Sequence, residues 1–142
     1  MENKIDITNH ELFDSLLDID YGKLSHFDIH NDFNLFSIGY KEGIEFVLNF
    51  KSINEKSTFL SIVFKSPRLI NFDITLNYDN LTLDNFHRGR YEYEGELFDE
   101  YDDKKCFYLE FYGTGGINIL SSEVFIEMSK KIKIIDLNKN AI

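Results

Sequence analysis

Apolar positions along the chain change period once, near residue 22. Before it, Thr8 and Glu11 stand at capping-box spacing, with Ile7 and Leu12 at the two positions of a hydrophobic staple. Leu12, Phe13, Leu16 and Leu17 fall on one face of a 3.6-residue period, and Glu11, Asp14, Ser15 and Asp18 on the other. This predicts a helix over about residues 9–19, stopped at Gly22. Beyond it the period is two. Phe27, Ile29 and Phe33 alternate with His26, Asp28, His30 and Asp32. Ile44, Phe46, Leu48 and Phe50 form the next alternating run, then Phe72, Ile74, Leu76 and Tyr78, then Phe107, Leu109 and Phe111, then Val124, Ile126 and Met128. Each predicts a strand with one buried face. The run Phe59 to Phe64 is apolar on both faces and predicts a central strand.

Turn-forming residues separate these runs at 41–43, 52–57, 66–67, 78–80, 99–104 and 113–116. No helical crossover lies between the strands, so antiparallel pairing is expected. The expected fold is mainly β (α+β by strict count): an antiparallel sandwich or strongly curved sheet with one N-terminal helix. One domain over 1–142 is expected, with a β-rich body over about 24–137. A chain of 142 residues buries roughly 70% of its unfolded surface and folds without staples.

Composition adds function classes to exclude. The single cysteine, Cys106, rules out an internal disulfide and a multi-cysteine zinc site. The start of the chain has no basic segment followed by an apolar run, and no stretch approaches the ~20 apolar residues of a membrane span. A cytoplasmic location is expected. The net charge of −10 opposes binding to nucleic acid or to anionic membranes and favours a basic partner.

Four constellations carry candidate chemistry. On a strand, His26, Asp28, His30 and Asp32 would share a face, and two imidazoles with a carboxylate suit a divalent metal; the competing reading is the solvent face of an edge strand. Cys106 paired with His87 or His26 would make a nucleophile, against a packing cysteine. Gly113-Thr114-Gly115-Gly116 has the glycine content of a phosphate loop, but a strand follows it, which favours a hairpin turn. The richest is Tyr91 to Asp103. Tyr91, Tyr93 and Tyr101 interleave with Glu92, Glu94, Glu96, Asp99, Glu100, Asp102 and Asp103. As one extended strand, it would place Glu92, Glu94 and Glu96 on one face and Tyr91, Tyr93 and Leu97 on the other. Carboxylates steer and pair with Lys or Arg, and tyrosine gives contact area for few frozen rotors. The competing reading is a solvated edge strand kept soluble by charge. Asp14, Asp18 and Asp20 form a second candidate patch.

The order of segments resembles small acidic immunity proteins of polymorphic-toxin and contact-dependent growth inhibition systems. The likeness lies in Ser25-His26-Phe27-Asp28, in Leu60-Ser61-Ile62-Val63-Phe64 through Leu69-Ile70-Asn71-Phe72, and in Phe107 to Val124. It covers roughly residues 24–130. Phe27 separates the histidine from the aspartate, which stand adjacent in that group. The resemblance implies a non-enzymatic inhibitor without cofactor, made beside its own toxin. The toxin would be a basic, nuclease-type protein, neutralised by a tight stoichiometric complex. Rival expectations are a small-ligand-binding β-domain with a phenylalanine-lined cavity, a metal enzyme using His26, Asp28 and His30, and a structural subunit of a phage or secretion assembly.

Overall fold

The computed structural model describes residues 3–9, 19–20, 26–27, 29–55, 57–75 and 81–129. In chain order they form β1 (Asn3–Asp6), β2 (Ile19–Asp20), β3 (His26–Phe27), the short helix α1 (Ile29–Asp32), β4 (Phe33–Lys41), β5 (Glu45–Ser52), β6 (Phe59–Lys65), β7 (Arg68–Phe72), β8 (Leu83–Arg88), β9 (Tyr91–Tyr93), β10 (Glu96–Phe98), β11 (Glu100–Tyr101), β12 (Lys104–Phe111), β13 (Gly116–Ser121) and β14 (Glu123–Ser129). All pairings between these strands are antiparallel.

Two five-stranded sheets make the body. The first has the order β1-β14-β6-β5-β4, with the doubly apolar β6 in its centre. The second runs β11-β12-β13-β7, with β8 also paired to β12. Period-two alternation sends Phe46, Leu48, Phe50, Leu60, Ile62 and Phe64 of the first sheet inward. Phe86, Phe107, Leu109, Phe111, Ile117 and Ile119 meet them from the second. Phenylalanine rings bridge the layers: Phe50 stacks on Phe111 at 6.3 Å, and Phe64 meets Phe107 edge-on at 6.0 Å. Truncating a ring buried like Phe64 to alanine costs about 3–5 kcal/mol, so these rings carry much of the stability.

The layers are also joined through the chain. β6 passes into β7 at Ser66-Pro67, and β13 passes into β14 at Ser122. Because β6 pairs with β14 and β7 with β13, the two crossings lie side by side. Ser121 Oγ donates to Lys65 O at 2.7 Å and the Ser122 amide donates to the same carbonyl at 3.1 Å. One bent ribbon therefore runs through both sheets, and the sandwich is closed by strands that turn a corner.

Two expectations change, and a third lies outside the described residues. The predicted strand through His26 to Asp32 ends after β3, and α1 replaces its second half. Ile29 is fully buried from α1 and Phe33 is fully buried from the start of β4, so both apolar positions of the run reach the core, but from two different elements. The predicted strand over Phe72 to Tyr78 lies earlier, as β7; residues 73–75 are irregular, and 76–80 lie outside the described residues. The predicted N-terminal helix, with Asp14 and Asp18, also lies outside them. Asp20 pairs with His26 in the small β2–β3 ladder. Among the described residues no helix is long and apolar enough to cross a membrane.

Candidate functional site: an acidic, aromatic hairpin

The segment from Tyr91 to Asp103 folds into two successive tight hairpins rather than one strand. β9 and β10 pair Tyr93 with Glu96, Glu92 with Leu97 and Tyr91 with Phe98. The two residues between them, Glu94 and Gly95, have φ of 51° and 82°. Asp102 and Asp103, between β11 and β12, have φ of 50° and 62°. Two-residue loops with both central φ values positive have the sense of a type I′ turn, which matches strand twist. The turns redistribute the predicted faces. Tyr91, Tyr93, Glu96 and Phe98 share one side of the ladder, Glu92 and Leu97 the other, and Glu94 sits at the tip. Glu92, Glu94 and Glu96 do not form one face, and Leu97 does not accompany the tyrosines, because the reversal at Glu94-Gly95 intervenes.

Residues 92–103 are all exposed, so they contribute little to the core. Tyr93 and Leu97 retain 62% and 64% of their accessible area. Among the described residues none of the seven carboxylates in this segment forms a salt bridge. Seven like charges on one exposed segment repel one another, and among the described residues the neighbouring cations Arg68 and Lys105 form no salt bridge with them.

Cys106 pins this element to the sheet. β8 leaves the edge of β12 with the Gly89 amide donating to Cys106 O at 2.8 Å. The chain returns with the Cys106 amide donating to Asp99 O at 2.9 Å. Asn118 ties the same place from β13: its Nδ2 donates to Arg90 O at 2.7 Å, and its Oδ1 accepts from Cys106 Sγ at 3.0 Å. The approach needs glycine, since a Cβ on Gly89 would lie 2.6 Å from Asn118 Oδ1. The thiol is fully buried, and burial pushes its pKa up to about 11, with Arg88 opposing the shift and Asp99 adding to it. The packing-cysteine reading is the one the structure matches, since a neutral buried thiol is inert. His87 instead directs Nδ1 at Arg88 O and packs on Tyr108.

Between the hairpins and the edge strand β7 lies a cleft of about 700 Å³. Its walls are Tyr91, Tyr93, Phe98 and Tyr101 on one side and Arg68, Leu69 and Ile70 on the other, with Leu120 and Glu100 completing it. Tyr91 and Phe98 pack ring to ring at 5.7 Å, and Tyr91 Oη donates to Glu100 O at 3.2 Å. The Arg68 guanidinium lies 5.3 Å above the Tyr101 ring. Four of the predicted contact residues, Tyr91, Tyr93, Glu100 and Tyr101, thus line one concavity. The predicted residues Asp99, Asp102 and Asp103 lie on the same exposed segment but do not line the cleft. Arg68 and Phe98 were not predicted. Phe98 lies inside the legible segment, whereas nothing local in the sequence ties Arg68 to it.

His30 lies on α1, where Nδ1 donates to Leu83 O at 2.8 Å. The side chains of His26 and Asp28 lie outside the described residues. Among the described residues no group of three or more His, Cys, Asp or Glu side chains could hold a metal ion. The Gly113–Gly116 stretch is a hairpin turn between β12 and β13, closed by the Phe111 amide donating to Gly115 O.

Comparison with protein-family models, with curated proteins and with solved structures returned no match.

Proposed function

We propose that this protein is a binding protein of the immunity type, which neutralises a basic protein toxin by forming a stoichiometric complex with it. One observation carries the reading: the chain holds an exposed, carboxylate-rich and aromatic double hairpin on its surface, where it adds charge repulsion and little burial. An element that costs stability and is pinned at its base is explained by what it contacts. Exposed tyrosines ringed by acids suit a Lys- and Arg-rich surface, with charge setting the encounter rate and aromatics the residence time.

The test is to read the neighbouring gene for a secreted protein with a variable C-terminal domain, whose absence would count against this reading, and to co-express that domain with this chain. Protection of growth and a one-to-one complex are expected. Absence of protection would overturn the inhibitor reading. In the complex, the charge reversals E94K and E96K together should slow association by about tenfold or more at low salt, and much less at high salt. An unchanged association rate would move the contact surface away from the hairpin.

A second reading, a small-ligand-binding domain, draws on the cleft volume, which lies within the roughly 300–1,000 Å³ of ligand pockets. The cavity expected for it was one lined by phenylalanine inside the body. The phenylalanines instead bridge the two layers, and the cleft is lined mainly by tyrosine at the surface.

A further inference from the structure

We infer that the cleft beside β7 is a binding site for a small aromatic carboxylate, its ring held among the tyrosine faces and its carboxylate on the Arg68 guanidinium. The ligand is a small molecule, and the site stands apart from the inhibitor reading.

The strand register places the cation. Arg68 stands opposite Leu120 in the β7–β13 pair, so the two side chains project on one face of the sheet. Leu120 is buried and lines the cleft, and the Arg68 guanidinium lies 5.3 Å above the Tyr101 ring. Among the described residues the Arg68 side chain forms no salt bridge and no hydrogen bond, in a chain with 25 acidic residues. The ring contact uses one face of the guanidinium and leaves the N–H fork at its edge for a ligand. The Glu100 carboxylate does not compete for that fork. Glu100 and Tyr101 are consecutive in β11, so their side chains take opposite faces. Glu100 is tied to this wall by its carbonyl, which accepts from Tyr91 Oη at 3.2 Å.

Three properties of the cleft select the ligand. Tyr91, Tyr93, Phe98 and Tyr101 border the space together with Leu69 and Leu120, and such walls favour a planar apolar body. Arg68 is the one cation among the lining residues, and its fork matches a carboxylate with two parallel hydrogen bonds. One guanidinium balances one negative charge. A dianion would carry a second charge into the field of the hairpin carboxylates, which repels it. The volume of about 700 Å³ lies in the range of small-molecule pockets.

The probe is indole-3-acetate, titrated into the intact protein and followed by the ring resonances of Tyr91, Tyr93, Phe98 and Tyr101. Saturable shifts with a Kd on the order of millimolar are expected for a ligand of this size. The neutral isostere indole-3-acetamide and the ring-free hexanoate should each bind about fivefold or more weakly. R68Q should weaken indole-3-acetate by about five- to tenfold and leave the amide unchanged. Y93A should weaken both indole probes by about two- to fivefold. E100Q should weaken neither. Arg68, Tyr93 and Glu100 are exposed, so the variants keep the core, and dispersed core resonances check folding in each.

The proposal is overturned by shifts that do not saturate, by equal binding of the amide or of hexanoate, by R68Q that leaves indole-3-acetate binding unchanged, or by weakening in E100Q. Equal binding of the amide would assign the cleft as an apolar slot for a neutral ligand. The outcome is separable from that of the inhibitor reading: the cleft can bind the probe where growth is not protected against a toxin, and protection can persist where the probe does not bind.

Discussion

At the scale of single residues, Cys106 shows how far local chemistry and context diverge. From sequence alone Cys106 reads as a packing cysteine at the start of a strand, with no motif around it. In the fold its backbone holds both ends of the hairpin excursion, and its thiol donates to Asn118. Native protein should resist thiol reagents at neutral pH and react after unfolding in urea; rapid native labelling would contradict the burial. The pH dependence follows from the direction of the shift. The folded pKa, about 11, stands above the ordinary 9.0. The folded chain therefore keeps its proton where the unfolded chain loses it. Stability is unaffected below about pH 9 and falls as pH rises from there toward 11, by on the order of 2 kcal/mol. Chemical denaturation across that window should show the extra loss in the native sequence and not in Cys106→Ala.

At the scale of elements, the two tight turns break a local rule. A side chain in the left-handed region costs about 1 kcal/mol, and type I′ turns favour Asn-Gly for that reason. This chain places Glu94 before Gly95, and Asp102 with Asp103, where Asn and Gly would be cheaper. Glu94→Asn and Asp103→Gly should each raise stability by about 0.5–1 kcal/mol in thermal or chemical unfolding. Both remove a carboxylate from a hairpin tip and should slow association with the basic partner. A variant that gains stability without loss of association rate would show that the tip charges serve solubility alone.

The whole molecule is unified by its corner. Ser121 Oγ donates to Lys65 O and also lies 2.9 Å from Glu123 O, at the point where the ribbon passes between sheets. Ser121 is fully buried. Ser121→Ala should cost about 1–2 kcal/mol, since it removes a buried hydrogen bond at a site without solvent access. Both sheets share the ribbon and the phenylalanine layer, so the loss should appear as one cooperative transition with an unchanged urea slope. Tyrosine fluorescence suits the measurement because the chain has no tryptophan. Two separate transitions would mean that the layers unfold independently.

The sequence by itself determined the strand class, the antiparallel pairing and the acidic segment. Those follow from local alternation, short turns and composition, which need no knowledge of distant contacts. It was also enough to place β5, β6, β12 and β14 within a few residues. It did not reveal β4, whose alternation is broken by an irregularity between Leu35 and Ser37, nor α1, whose single turn over Ile29–Asp32 is too short to show a helical period. Glu92, Glu94 and Glu96 could not be assigned to faces from period two, because positive φ at Glu94 and Gly95 reverses the chain between them. Only the tertiary structure made Cys106 a pin and brought Arg68 to the face of Tyr101. Such juxtapositions depend on which strands lie next to one another, and that is settled by packing of the whole core rather than by any stretch of chain.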